Sequence, residues 1–227
     1  MLAVLKKEFK SYFLSPIGYV VIGIFLFVFS VFFYLTTIQY GTVDLGSLYF
    51  YTALYGLIII APILTMRMFA EERKTGTEQL ILTSPVNMLG VVFGKFFAAL
   101  GVIIVTLLIS FMYFFIVKYF GNPNIATVLV HMLGFVLVSS AAISIGMFAS
   151  SITENQIIAG IITIAFLVMT LFMQDLNSIF ANISIMNFYS DFPSGVISLR
   201  EVVGLVSFTA MFIAFTIIVM QRRKLVK

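Results

Sequence analysis

Six stretches of this chain carry no Asp, Glu, Lys or Arg: 11–43, 45–66, 96–117, 119–153, 155–174 and 202–221. A helix rises about 1.5 Å per residue and a bilayer hydrocarbon core is about 30 Å thick, so roughly 20 apolar residues make one crossing. Each stretch accommodates one crossing, and none comfortably holds two. The charge gaps therefore predict membrane-spanning helices near 17–38, 48–66, 92–117, 128–150, 156–173 and 202–221. Runs such as 157–173 are apolar on every side, unlike the alternating strands of a membrane β-barrel. Composition closes off the other classes. Charged residues make up 10% of the chain against about 25% in a soluble domain, too few to cover a water-facing surface. The absence of Cys removes disulfide frameworks and thiolate chemistry.

Cation placement sets the expected orientation. With the N-terminus inside, the inner segments hold Lys6, Lys7, Lys10, Arg67, Arg73, Lys74, Lys95, Arg222, Arg223, Lys224 and Lys227, and the outer segments hold only Lys118 and Arg200. Both termini are thus expected on the cytoplasmic side. The net charge of +4 belongs to these flanks and implies no nucleic-acid partner. The first apolar run is too long for a removable signal peptide, and no small-residue cleavage pattern follows it. No hydrophilic stretch is long enough for a soluble domain, so residues 1–227 read as a single transmembrane domain.

Three connecting segments carry more information. In residues 1–14, Leu2, Leu5, Phe9 and Phe13 recur at helical spacing with Lys6, Lys7 and Lys10 between them, a pattern for an interfacial helix. Ser15-Pro16 ends it and is placed to cap the next helix. Residues 67–85 hold the densest charge, and Thr75-x-x-Glu78 fits a capping box before Leu80-Ile81-Leu82, with Gly76 for a sharp turn. The expectation is a helical hairpin below the membrane with a short helix across its tip. The short turn 151–155 carries a second box, Thr153-x-x-Gln156. Residues 174–201 are too apolar for a free loop and too often broken for a span, which predicts a re-entrant helical pair near the outer leaflet.

Catalytic chemistry is hard to assemble from this chain. His131 is the only His and begins an apolar span, where a packing role outweighs metal ligation. Gly90-x-x-x-Gly94-Lys95-Phe96 is one residue short of a phosphate loop and lacks its Ser or Thr. Gly90-x-x-x-Gly94 and Ser140-x-x-x-Ser144 instead suit close helix approach. No ionisable residue falls at the centre of a span, which disfavours an ion-coupled transporter.

Three passages resemble the type 2 ABC transporter permease family. They are Lys6-Lys-Glu-Phe-Lys10 with Ser15-Pro-Ile-Gly18, then Met66-Arg-Met-Phe-Ala-Glu-Glu-Arg-Lys-Thr-Gly-Thr-Glu78 with Ser84-Pro85 and Gly94-Lys95, and Phe148-Ala-Ser-Ser-Ile-Thr-Glu-Asn-Gln156. Together they most resemble the gliding-motility-associated permease subfamily. The resemblance implies an all-α, six-span exporter half in the inner membrane, paired with a second or related permease. It places two separate ABC ATPase subunits below, which hold ATP and Mg, so this chain is not itself an enzyme. It assigns Glu71, Glu72, Arg73, Thr75, Gly76, Thr77 and Glu78 to a coupling helix and Thr153, Glu154 and Asn155 to a smaller ATPase contact. The alternative is a membrane scaffold that transmits the force of such an ATPase to envelope proteins without transport.

Overall fold

Helix is the regular structure throughout the computed structural model, which describes residues 1–83, 87–176 and 184–225. The leader forms α1, Leu2–Leu14. At Ser15 the backbone turns extended and Pro16 takes the first position of α2, Pro16–Phe32, where its missing N–H costs nothing. Ser15 does not cap α2 with its side chain. Its hydroxyl donates backward to the Tyr12 carbonyl, 3.3 Å away.

α2 runs on through a π-helical stretch, Phe33–Ile38. After a short turn, α3 (Gly46–Tyr51) passes through a second π-helical stretch, Thr52–Gly56, into α4, Leu57–Thr65. Phe32 stacks on Tyr51 and Tyr55 between the two segments, each ring pair 5.7 Å apart. The hairpin forms α5 (Ala70–Lys74) and α6 (Glu78–Thr83). Next come α7 (Met88–Ser110) and α8 (Met112–Phe120), which meet at Phe111, then α9 (Ile125–Ile152), α10 (Gln156–Leu176) and α11 (Leu199–Leu225).

Five helical runs are long and apolar enough to cross a membrane: Pro16–Ile38, Gly46–Lys74, Met88–Phe120, Ile125–Ile152 and Leu199–Lys224. A shorter apolar stretch, Gln156–Phe172, lies within α10. α9 is the central helix, packed against α4, α7, α10 and α11. Its residues 138–147 are buried without interruption, as expected of a helix that is apolar or small on every face. Phe25, Phe29, Tyr49 and Phe135 form an aromatic core beside it, with Phe25 and Phe135 edge to face at 5.5 Å.

The apolar side of α1 meets protein. A Cβ added at Gly94 would lie 2.9 Å from Val4, and one at Gly101 would lie 3.0 Å from Phe9. Gly90 faces Met1 in the same way. These contacts advance in the same direction along both chains through three turns of α7, so α1 tracks α7 rather than crossing it once. Gly90 and Gly94 therefore do permit close approach, and the helix they admit is the leader. Lys6, Lys7 and Lys10 remain exposed.

The region of the expected re-entrant helical pair is described only in part. Residues 177–183 lie outside the described residues. Beyond them stand two single 3₁₀ turns, Asn187–Tyr189 and Phe192–Ser194, closed by Gly195 at φ 76°. Tyr189 and Phe192 are fully buried, and Phe192 fits against Gly134 of α9. Glu201 of α11 holds this segment down, accepting from Asp191 N at 2.8 Å and Ser190 Oγ at 3.0 Å.

Candidate functional site

The hairpin between α4 and α7 departs from its sequence reading in one respect. Thr75 is not an N-cap. It ends α5, its hydroxyl donating to Glu71 O at 2.9 Å, while Gly76 turns the chain at φ 74°. α6 starts at Glu78 itself, so Glu78 stands at the first helical position, where a capping box would put it two residues further in. Thr75 and Thr77 share a hydroxyl contact at 3.0 Å across the tip. The second expected box is corrected in the same sense. Asn155, not Thr153, caps α10, its Oδ1 accepting from Ile157 N at 2.9 Å. Thr153 Oγ1 accepts from Asn155 N at 3.1 Å and shapes the turn before the cap.

The charged residues of the hairpin separate into two sets. Glu72 is turned inward, where Lys95 Nζ reaches its Oε1 at 2.7 Å and Glu8 Oε1 at 3.3 Å. Lys95 is only 2% exposed and lies 5.3 Å from the centre of the Phe69 ring. One ammonium thereby joins α1, α5 and α7. Tyr12 of α1 adds a hydrogen bond to Leu64 O of α4 at 3.0 Å. Burial, reinforced by the Glu8 charge, pushes its phenol up, so it stays a neutral donor.

Glu78, also buried, pairs with Arg223 of α11 at 3.1 Å. Arg223 simultaneously donates to the carbonyls of Ser151 and Ile152. Arg73 of α5 approaches the same helix end, donating to Ile152 O at 3.2 Å and pairing with Glu154 at 2.7 Å. Two guanidinium groups from distant parts of the chain therefore satisfy the last carbonyls of α9, the end where a helix dipole favours cations. Ser150 completes the joint from the α9 side. Its Oγ accepts from Phe69 N and Ala70 N, both at 3.1 Å, and donates to Met66 O at 3.2 Å. The orphan N–H groups opening α5 are thus capped by another helix.

The second set faces outward. Glu71 is half exposed and stands 4.0 Å from the equally exposed Arg67, a separation at which an ion pair contributes little. Lys74, Thr75, Gly76 and Thr77 are exposed, and Leu80 is 72% exposed. A cleft of about 420 Å³ opens between this outer set and α1, lined by Tyr12, Glu72, Thr77, Leu80 and Lys95 among others.

The family model described as ABC-2 family transporter protein matches residues 39–221. The chain belongs to that family. A search among curated proteins gives no match. Within this ABC-2 chain the matched region contains the hairpin, the 153–155 turn and Lys95, whereas Glu8 and Arg223 fall outside it. Those two are among the residues that sequence reasoning missed, with Ser150. The positive-inside count places Lys95 among the flanking cations. Its signal was local: a lone charge between Gly94 and Phe96, with apolar residues on both sides. The other three had none, because their partners lie 71 to 145 residues away along the chain or, for Glu8, on another helix.

No group of three or more potential metal ligands occurs among the described residues. His131 is buried with its ring 5.6 Å from that of Tyr49. Ser140 bonds Thr209 of α11 at 3.1 Å, and Ser144 bonds back to Ala141 O. These side chains are engaged in packing.

Proposed function

We propose that this ABC-2 family chain is the membrane-spanning half of an ATP-driven exporter. In this reading six helices cross the inner membrane with both termini cytoplasmic, α10 being the fifth span. Two such permeases, identical or related, pair above two separate ABC ATPase subunits that carry ATP and Mg. On the residues quoted above, the chain resembles the gliding-motility-associated permeases. The exposed tip Lys74–Gly76–Thr77–Leu80, with Glu71 and Glu154 beside it, is the surface the ATPase presses, and α6 is the coupling helix.

One observation carries this reading. The hairpin and the 153–155 turn, separated by some 75 residues, are joined at the end of α9 by Arg73, Ser150 and Arg223. Lys95 adds α1 and α7 to the same joint. A push on the tip would then reach α4, α7, α9 and α11 together, which alternating access requires and a slack loop would not transmit. Glu72 and Glu78 serve inside this joint, so they transmit force while the exposed residues receive it.

The experiment is purification of the tagged full-length chain from its native membrane. The proposal expects an equimolar ABC ATPase, MgATP hydrolysis and, in sealed vesicles, ATP-dependent movement of a substrate. Hydrolysis that never moves any solute would favour the scaffold reading. A stable monomer with no ATPase would overturn both.

A further inference from the structure

Away from the hairpin, a groove of about 490 Å³ runs between α7, α9 and α11. Its walls are Leu89, Phe93 and Leu100 of α7 and Val206, Ile213 and Ile217 of α11. Among the described residues that line it, the polar side chains are Ser140 and Thr209, bonded to each other at 3.1 Å, so the floor asks for no polar ligand. The volume falls within the ~300–1,000 Å³ usual for small-molecule sites. Its length is more telling. From Leu89 to Leu100, and again from Val206 to Ile217, eleven residues at about 1.5 Å each give roughly 16 Å. Half of a bilayer core is about 15 Å. The groove therefore has the depth of one leaflet.

A cation stands beyond the inner end of the groove. Lys224 lies seven residues beyond Ile217, two helical turns along the same face of α11, and its side chain is exposed. Arg223 points to the other side, where Glu78 and the α9 carbonyls occupy it. The opposite wall begins at the N-terminus of α7, where the positive end of the helix dipole adds to the field. An apolar slot one leaflet deep, with an exposed cation beyond its inner end and, among the described residues, no charge along its walls, is complementary to a single-headed anion carrying a long hydrocarbon chain.

We infer that this groove binds an anionic glycerophospholipid, one acyl chain lying along α7 and α11 and the phosphate held at Lys224. Under the topology proposed above the lipid comes from the cytoplasmic leaflet; the groove and its cation do not otherwise depend on that reading.

Because the chain has no Trp, Phe93→Trp supplies a single fluorescent reporter inside the groove. The full-length protein is reconstituted in vesicles whose acyl chains are brominated on either phosphatidylglycerol or phosphatidylcholine. Quenching should favour phosphatidylglycerol by about fivefold in mole fraction, the effect of one cation on one anionic headgroup. Lys224→Gln, at an exposed site that folding does not need, should remove that preference while leaving quenching by either lipid in place. Leu108→Trp, on the exposed far half of α7, should show no preference at all. Equal quenching by both lipids at Phe93→Trp, or a preference that survives Lys224→Gln, would overturn the proposal. So would protection from both lipids, which would mean that a protein surface fills the groove. Since both leaflets carry the same lipid, an error in the assigned orientation would not alter the result.

Discussion

Replacing Lys95 with Met removes the ammonium that joins α1, α5 and α7 while nearly keeping its volume. Glu8 and Glu72 would then face each other across a mostly buried gap, with side chains 19% and 17% exposed. Breaking a buried ion pair by deleting one partner costs about 3–5 kcal/mol, and the residual exposure of the carboxylates places this case near the lower bound. For a chain of this length about 1 kcal/mol corresponds to about 2–4 °C in Tm, so Lys95→Met should melt roughly 6–12 °C below wild type in detergent. The control is the triple substitution Glu8→Gln, Glu72→Gln and Lys95→Met. It leaves no unpaired charge and should recover most of the loss, because replacing a whole buried ionic cluster is often nearly neutral. Circular dichroism at the helical band follows the melt. Lys95→Met melting within about 2 °C of wild type, or a triple variant no better than the single one, would refute the reasoning that Lys95 is a buried structural charge.

Cysteines placed at Thr42 and Asn122 should react with an impermeant thiol reagent added outside intact cells, and one at Thr77 should not; labelling at 77 would invert the topology. Asn155→Ala should cost about 0.5–2 kcal/mol of stability by removing the α10 cap, and Thr153→Ala should cost less, the reverse of what a Thr153 capping box requires. Gly94→Val should dislodge α1 from α7, seen as faster protease cleavage within residues 1–15, because its first added carbon would already sit 2.9 Å from Val4.

The charge gaps located the helices well because desolvating a charge is costly enough to keep ionisable residues off the apolar runs. The expected 17–38, 128–150 and 202–221 match Pro16–Ile38, Ile125–Ile152 and Leu199–Lys224 to within a few residues. The charge gaps did not show that Lys95 and Glu201 are buried within α7 and α11, where partners neutralise or hydrogen-bond them. The two π-helical stretches left no trace in composition or spacing. Charge density and the turn residues pointed to the hairpin, but not to which of its carboxylates face inward. Glu71 and Glu72 are neighbours in sequence with opposite fates, decided by Lys95 on another helix.

The central claim is that the exposed hairpin tip receives an ABC ATPase. A photoreactive amino acid placed at Thr77, in native membranes under ultraviolet light, tests it most directly, with Asn122 at the opposite end of the molecule as the reference position. The account predicts a covalent adduct between position 77 and an ABC ATPase subunit, altered by MgATP, and no such adduct from position 122. Equal cross-linking from both positions, or none from 77 or from a second reporter at Glu154, would contradict it.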